Sequence, residues 1–243
     1  MGLVMKSQVQ RIVRGLGYEI RRYAPTSSER AQLMAVMSYH EVDLVFDIGA
    51  NTGGFGRYLR DLGYRGRMVS FEPMKAAYDE LVCATANDRL WTAETRSAIG
   101  AENGEVKIHI SGNSESSSIL EMLDAHSTAA PESSYLGSET VPLRTLDSLG
   151  AKHISENTKL FLKIDTQGYE EQVLEGGKLS VSRASVLQIE LSLVPLYLGQ
   201  KLMPEMLLIL SGLGFDLWGI APVFADPTSG RMLQVDGIFC RSV

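Results

Sequence analysis

The sequence of 243 residues has few of the features that assign a protein to a class at once. It contains only two cysteines, Cys83 and Cys240, which are far apart and give no C-x-x-C or metal-type spacing. We therefore expect free thiols in a reducing compartment, which favours a cytoplasmic protein. No apolar run approaches the roughly 18 residues that a transmembrane helix needs, and the first residues lack the continuous apolar region of a signal peptide.

Positive charge is also scarce. Lysine and arginine together number 23 and aspartate and glutamate 29, which gives a net charge of −6. A chain with this balance has no general electrostatic hold on a phosphate backbone, and it has no N/D-P-P-Y-type motif. We therefore expect no nucleic-acid partner. The histidines share no metal-type spacing; they are His40, His109, His126 and His153.

From Asp43 onward, short apolar runs alternate with helical patterns. The runs are typical of strands buried on both faces; they are "DLVFDIG", "RMVSFE", "LWTAETRSAIG", "GEVKIHI", "KLFLKID", "SVLQIEL", "FDLWGIA" and "QVDGIFCRS". The helical patterns lie between some of them, at 54–62, 75–86, 170–175 and 204–212. This alternation predicts an α/β fold with a doubly wound, mostly parallel sheet. The last two strands are joined by "PVFADPTSGR", which is too short for a helical crossover and predicts an antiparallel hairpin.

Two regions depart from this alternation. Residues 1–42 are predicted to form a helical extension, and 43–243 a single domain. A serine-rich segment near 111–138 is long for a connection inside a compact domain, so we expect a lid over the site or a flexible loop. In the extension, a second helix is predicted at 28–40 with Ser27 or Ser28 as its N-cap.

The first helix of the extension is amphipathic and basic. Its apolar residues recur at helical spacing with basic residues between them, namely Met5, Val9, Ile12, Val13 and Leu16 with Lys6, Arg11 and Arg14. Three roles fit this pattern. The helix can pack on the domain, contact a second subunit in a homodimer, or lie on a membrane surface or another acidic partner.

The stretch "VFDIGANTGGFG" at 45–56 places a glycine-rich turn after the first predicted core strand. Ligands of open parallel sheets bind beyond the carboxyl ends of the strands, so Gly49 is expected to let a ligand approach the backbone. Gly53 and Gly54 are expected to allow close packing where the next helix begins. About 20 residues after such a turn, an acid can bind a ribose diol, and Glu72 of "SFEP" stands there.

Asp47 distinguishes this turn from a pyrophosphate site. A carboxylate two residues before the first glycine would repel a pyrophosphate, whereas it could accept a hydrogen bond from an ammonium group. A ligand with both an amino acid and a ribose is S-adenosylmethionine (SAM). The combination D-x-G-x-x-x-G with Glu72 therefore favours SAM over NAD, although Asp47 could instead cap the helix or tie down the turn.

Several segments together resemble a known family. The stretches "VFDIGANTGGFGRYL", "VSFEP", "TLDSL", "FLKIDTQGYEEQVLEGG" and "LQIELS" follow one another in the order and spacing of the FkbM family of SAM-dependent methyltransferases. The resemblance covers roughly 43–195 and is most specific at 161–177. It implies a Rossmann-like class I methyltransferase fold. It also implies O-methylation of a hydroxyl group, often on a sugar, glycolipid or polyketide.

The same resemblance adds to the expected site. Asn51 of the turn joins the cofactor-binding set, and the general arrangement of the fold puts adenine near Ser97 and Ala98. Gln167 stands where the family commonly has glutamate or glutamine. The expected partner is a small hydroxylated molecule that contains carbohydrate.

Two further carboxylates lie at predicted strand ends. Asp165 in "KIDTQGYE" and Glu190 in "LQIELS" would share one rim of the sheet. Neighbouring carboxylates raise each other's pKa or hold a divalent cation such as Mg²⁺. We expect Asp165 to be a general base or metal ligand that also contributes to the cofactor site, with Glu190 as its partner and Gln167 orienting the substrate. The alternatives are a helix cap for Asp165 and a buried ion pair for Glu190.

Five further residues are candidates for substrate binding. They are Asn113, Ser117 and Ser118 of the serine-rich segment, His126 within it, and Tyr169 after the second acidic centre. A flexible serine loop, a solvated loop histidine and a packing tyrosine are the competing interpretations. The sequence thus favours a SAM-dependent O-methyltransferase, and the alternative is a binding or assembly module that has kept the fold and lost catalysis.

Overall fold

The computed structural model describes residues 2–242, with side chains from residue 8. Within these residues, the strands are β1 (Leu44–Ile48), β2 (Arg67–Phe71), β3 (Trp91–Ala93), β4 (Ala98–Ile99), β5 (Gly104–Ser111), β6 (Tyr135–Arg144), β7 (Leu160–Ile164), β8 (Ala184–Ser192), β9 (Phe215–Ala225) and β10 (Met232–Arg241). The α-helices are α1 (Gly2–Gly15), α2 (Glu29–Tyr39), α3 (Gly54–Asp61), α4 (Lys75–Thr85), α5 (Asp124–Ala129), α6 (Leu146–Gly150), α7 (Glu170–Gly176), α8 (Lys178–Arg183) and α9 (Met203–Gly212).

The main sheet has seven strands in the order β3-β2-β1-β7-β8-β10-β9. All neighbours are parallel except β10, which runs antiparallel to β8 and to β9. This confirms the predicted doubly wound, mostly parallel sheet with an antiparallel C-terminal hairpin. The strand order reverses between β1 and β7, so their carboxyl ends border the switch point at which ligands of such sheets bind.

A second sheet corrects the predicted strands between 90 and 110. The run "LWTAETRSAIG" divides into β3, which joins the main sheet, and β4, which does not. Strands β4, β6 and β5 form a separate three-stranded sheet in that order. Strand β6 was not predicted, and its first residues fall in the supposed lid at 111–138. Its sequence "YLGSETVPLR" carries a glycine and a proline, which are rare inside central strands.

The second predicted helix packs on one face of the main sheet. Helix α2 begins after Ser28, whose hydroxyl accepts the amide proton of Ala31 at 3.4 Å, so Ser28 is the N-cap. Leu33, Val36 and Met37 of α2 are buried in the cluster that covers this face. Helix α1 is also present; the side chains of Met5 and Lys6 lie outside the described ones. No helix in the described part of the chain is long and apolar enough to cross a bilayer.

Candidate active site

The glycine turn between β1 and α3 has an unusual backbone. Gly49 and Gly53 have φ angles of 79° and 85°, and Asn51 between them has 47°. These left-handed conformations favour glycine and tolerate asparagine. A Cβ on Gly49 would lie 1.8 Å from the carbonyl oxygen of Asp165. Gly49 is therefore required by the close approach of the chain after β7. It also lines the cavity described below, so the approach of a ligand to its backbone stays a prediction.

The other glycines of the turn differ in how closely other residues pack against them. A Cβ on Gly53 would meet Leu81 and Trp91 at 3.0 and 3.1 Å, so the predicted close packing holds there. Gly54 has open space where its Cβ would be, so close packing does not explain it. Gly56 is the tight position instead, because a Cβ there would lie 2.2 Å from the Trp91 ring.

Glu72 fixes this turn from the end of β2. One carboxylate oxygen accepts the amide proton of Asn51 at 2.8 Å, and the other accepts that of Met74 at 2.8 Å. The side chain is buried, and burial raises the pKa of Glu72 to about 7. Each oxygen has a second lone pair for a further donor, so Glu72 can hold the turn and still accept hydrogen bonds from a ligand.

Asp47 has a partner other than the predicted ammonium group of a ligand. Its carboxylate is 1% exposed, outside the cavity lining, and lies 3.6 Å from the Nζ of Lys163 on the neighbouring strand β7. Ser70 on β2 donates a hydrogen bond to it at 3.3 Å. The alternatives of a helix cap and a tie to the turn are not what the structure shows either. Asp47 instead forms a buried ion pair beneath the site.

Lys163 connects this buried pair to the second acidic centre. Its ammonium lies 3.1 Å from Oδ2 of Asp165, at the carboxyl end of the same strand. Burial acts to lower its pKa, but the carboxylates of Asp165 and Asp47 outweigh burial and raise the pKa of Lys163 above its usual range. Lys163 therefore stays charged and fixes one oxygen of Asp165.

The predicted proximity of Asp165 and Glu190 is present in the structure, and Gln167 lies between them. The side-chain amide of Gln167 donates to Oδ1 of Asp165 at 2.9 Å and to Oε2 of Glu190 at 3.0 Å. Burial and the nearby Asp165 carboxylate raise the pKa of Glu190 well above its usual value. The two acids thus differ: Glu190 is buried and favours its neutral form, while the Asp165 side chain is 33% exposed.

Gln167 is itself held in place by residues from distant segments. The hydroxyl of Tyr197 donates to its side-chain oxygen at 2.8 Å, and Ser118 donates to its backbone carbonyl at 2.7 Å. The backbone of Gln167 has a φ of 54°. Tyr197 was not predicted, and "LVPLYLGQ" contains no motif that could have identified it.

The helix after this centre is not capped by Asp165. Glu170 takes that place, because its Oε1 accepts the amide protons of Thr166 at 3.0 Å and Gly168 at 3.1 Å. Glu190 lies on β8 and accepts from Gln167, and no cation lies within ion-pair distance of it among the described residues. Both alternatives for these acids are therefore wrong, and their carboxylates face one another across an amide.

These groups surround a cavity of about 390 Å³ at the carboxyl edge of the sheet. Predicted site residues that line it are Gly49, Asn51, Glu72, Ser97, Ala98, Ser117, Ser118, Asp165, Gln167, Tyr169 and Glu190. Predicted site residues outside the lining are Asp47, Gly53, Asn113 and His126. Lys163, which is not among the predicted site residues, also lines the cavity.

Two residues of the serine-rich segment have structural roles. Asn113 accepts from the Ser111 hydroxyl at 2.6 Å and from the Ser116 amide at 3.0 Å, which closes a local turn. His126 is buried, so it is neither a residue of the cavity wall nor a solvated loop histidine. Its ring lies edge-on to Tyr197 with centroids 5.2 Å apart.

His126 gives the fold a specific dependence on pH. Burial lowers the pKa of its imidazole from the usual 6.5 to about 4. As pH falls from 6.5 to 4, the unfolded chain takes up a proton that the folded chain refuses, so the parent loses stability relative to a His126→Leu variant. We expect a differential loss on the order of 1 kcal/mol between about pH 7 and pH 5 in urea unfolding. Parallel declines in both proteins would contradict this assignment.

Comparison with known proteins gives a family match and several structural ones. The sequence model described as "Methyltransferase FkbM domain" matches residues 47–217. No curated protein gave a match. Among solved structures, precorrin-6y C5,15-methyltransferase of Geobacter metallireducens is 13% identical over 88% of this chain and 87% of its own, with a TM-score of 0.44.

Two other solved structures are similar at the same level. TehB of Haemophilus influenzae is 12% identical over 87% of this chain and 62% of its own, with a TM-score of 0.47. A Streptococcus pneumoniae protein, described as a candidate tRNA (m1A22) methyltransferase and solved with S-adenosyl-L-methionine, is 11% identical. That match covers 87% of this chain and 72% of the other, with a TM-score of 0.46.

Proposed function

The chain belongs to the FkbM family of SAM-dependent methyltransferases, and on that premise we propose that it methylates a hydroxyl group of a small molecule. The acceptor we propose is a sugar of a glycan, glycolipid or glycosylated natural product. One observation is the main support for methylation of a hydroxyl group. The Asp165 carboxylate lines the cavity beside the glycine turn, with Lys163 and Gln167 each holding one of its oxygens.

The cavity wall fits the cofactor. The turn at Gly49–Gly53 presents backbone in left-handed conformations beside an open space, and Glu72 stands at the end of the next strand. Glu72 would accept the ribose hydroxyls, and Ser97 and Ala98 would lie against the base. Asn51 and the turn would face the amino-acid end.

The chain's own residues then have a defined task. When bound, SAM supplies a methyl group on a sulfonium centre, which is a good leaving group. Asp165 accepts the proton of the acceptor hydroxyl through a lone pair that neither Lys163 nor Gln167 uses. General-base catalysis of this kind contributes roughly 10²–10⁴-fold. Glu190, in its neutral form, adds no second charge beside that base.

The same atoms do not suit a magnesium ion. The Lys163 ammonium lies 3.1 Å from Oδ2 of Asp165 and would repel a second cation, and the Gln167 amide lies between Asp165 and Glu190. Among the described residues, no group of three or more His, Cys, Asp or Glu side chains could hold a metal. We therefore propose a metal-independent base.

Tyr197 sets the orientation of the Gln167 amide, so its hydroxyl affects turnover from outside the cavity wall. A Tyr197→Phe variant should lower kcat about 2–10-fold, the effect of losing one hydrogen bond. KM for SAM should stay unchanged because the cofactor side of the cavity is intact. A Tyr39→Phe variant, altered at an exposed tyrosine, is the control. A raised KM with unchanged kcat would show that Tyr197 shapes the cofactor site instead.

Transfer of labelled methyl from SAM into fractionated extract of the source organism tests the proposal. We expect label in a carbohydrate-containing product that releases a methylated sugar on hydrolysis, with equal yield before and after chelation. Label in protein or nucleic acid, or on nitrogen, would contradict O-methylation of a small molecule. Loss of label on chelation, restored by Mg²⁺, would contradict the metal-independent base. A chain that binds SAM and transfers nothing would be the binding module.

The thiols support the proposed cytoplasmic location. Cys83 is exposed and Cys240 is buried, and both are free. Free thiols are typical of reducing compartments.

A further inference from the structure

Helix α1 has an apolar stripe that stays exposed among the residues that the structure describes. Val9 and Ile12 are 45% and 66% exposed, although their spacing places them on one face of the helix with Val13. Leu16, in the turn directly after the helix, is 70% exposed. Helix α2, by contrast, buries its apolar residues on the sheet. An isolated helix of 14 residues is marginal in water, so α1 needs a surface against which to pack.

The apolar surface continues after the helix ends. Tyr18, Ile20 and Tyr23 are 73%, 50% and 65% exposed in the segment that leads to α2. An amphipathic helix followed by exposed tyrosines and an isoleucine is typical of a segment that binds at a membrane interface.

The positive charge of this segment indicates that it binds a negatively charged surface. Residues 1–28 contain five basic residues and one acid, Glu19, in a chain whose net charge is −6. Arg11 and Arg14 lie opposite the apolar stripe at 100° per residue, and Arg14 and Arg21 are mostly exposed. A basic face opposite an apolar one matches a surface of anionic lipid headgroups. A second copy of the segment would carry the same positive charge.

The segment also leaves the domain on the cavity side. Helix α2 ends at Tyr39, just before β1 begins, so α2 runs antiparallel to β1. Its 11 residues span about 16 Å, which is about the length of the five residues of β1. The start of α2 therefore lies towards the carboxyl edge of the sheet, where the cavity opens.

We propose that α1 and the segment to Tyr23 bind an anionic membrane surface, with the apolar stripe among the headgroups and the arginines facing lipid phosphates. The anchor places the cavity near the bilayer, which suits an acceptor sugar carried on a lipid. The acceptor class rests on the proposed function, whereas lipid binding does not.

Flotation of the full chain with vesicles tests the anchor. The probes are phosphatidylcholine vesicles and vesicles that also contain phosphatidylglycerol. We expect the partition coefficient to be at least about tenfold higher on the anionic vesicles and to fall as salt is added. The double variants Ile12→Gln/Leu16→Gln and Arg11→Glu/Arg14→Glu should each lose most of this binding.

Matched controls change the same residue types elsewhere on the exposed surface. Leu136→Gln/Leu208→Gln and Arg89→Glu/Lys107→Glu should bind like the parent. Equal binding to both vesicles, or equal loss in the controls, would overturn the proposal. If the parent does not bind vesicles but self-associates, and Ile12→Gln/Leu16→Gln abolishes that self-association, the stripe is an interface with a second copy of the chain. If the chain binds vesicles but transfers no methyl group, the proposed function is contradicted and the membrane anchor is not.

Discussion

An Asp165→Asn variant should lose methyl transfer by about 10²–10⁴-fold, the usual contribution of a general base. The asparagine side chain keeps the shape of aspartate, and its one oxygen can still accept from either Gln167 or Lys163. It has no lone pair on nitrogen to take the proton of the acceptor. Binding of SAM should change little, because the turn and Glu72 are untouched. Single-turnover transfer of labelled methyl and calorimetric titration with SAM measure the two effects separately.

The control for this experiment is Asp124→Asn, an acid exposed at the start of α5. It should transfer methyl groups at the parent rate. Unchanged turnover in Asp165→Asn would remove Asp165 from the mechanism. Loss of SAM binding together with turnover would make Asp165 a cofactor ligand rather than a base.

A Lys163→Met variant should lower the free energy of unfolding by about 3–5 kcal/mol, the cost of leaving a buried charge without its partner. Lys163 is 8% exposed and lies between Asp47 and Asp165. Asp47 would retain only the Ser70 hydroxyl as a partner. Asp165 is exposed enough to be solvated, so Asp47 bears most of the loss. Urea unfolding at neutral pH measures the change.

Two further variants test whether the loss of stability comes from the unpaired charge of Asp47. Adding Asp47→Asn to Lys163→Met removes the orphaned charge, so the double variant should recover most of the lost stability. Lys152→Met removes a lysine whose ammonium lies 2.9 Å from Glu94 but is 58% exposed, and it should cost no more than about 1 kcal/mol. Equal losses in Lys163→Met and Lys152→Met would show that the buried pair is not a major source of stability.

Local patterns were sufficient for the main sheet and for the position of the site. Apolar runs that end at "DIG", "FEP", "KID" and "IEL" predict parallel strands whose carboxyl ends share one edge. Glu72, Asp165 and Glu190 therefore meet at one cavity. The second sheet was harder to predict, because β6 is largely exposed and contains Pro142, so its pairing with β5 overrides a weak local preference.

The roles of individual side chains were decided by tertiary structure. Asp47 lies opposite Lys163 because β1 and β7 pair in that register, and no local pattern specifies which strands become neighbours. Gly49 is required by the carbonyl of Asp165, a residue far along the chain. Tyr197 reaches Gln167 from 30 residues away. The sequence by itself determined the strands of the main sheet and the polar residues at their ends, because strands buried on both faces are continuous apolar runs. Only the fold decided which of them face a ligand, because that depends on register and burial between distant segments.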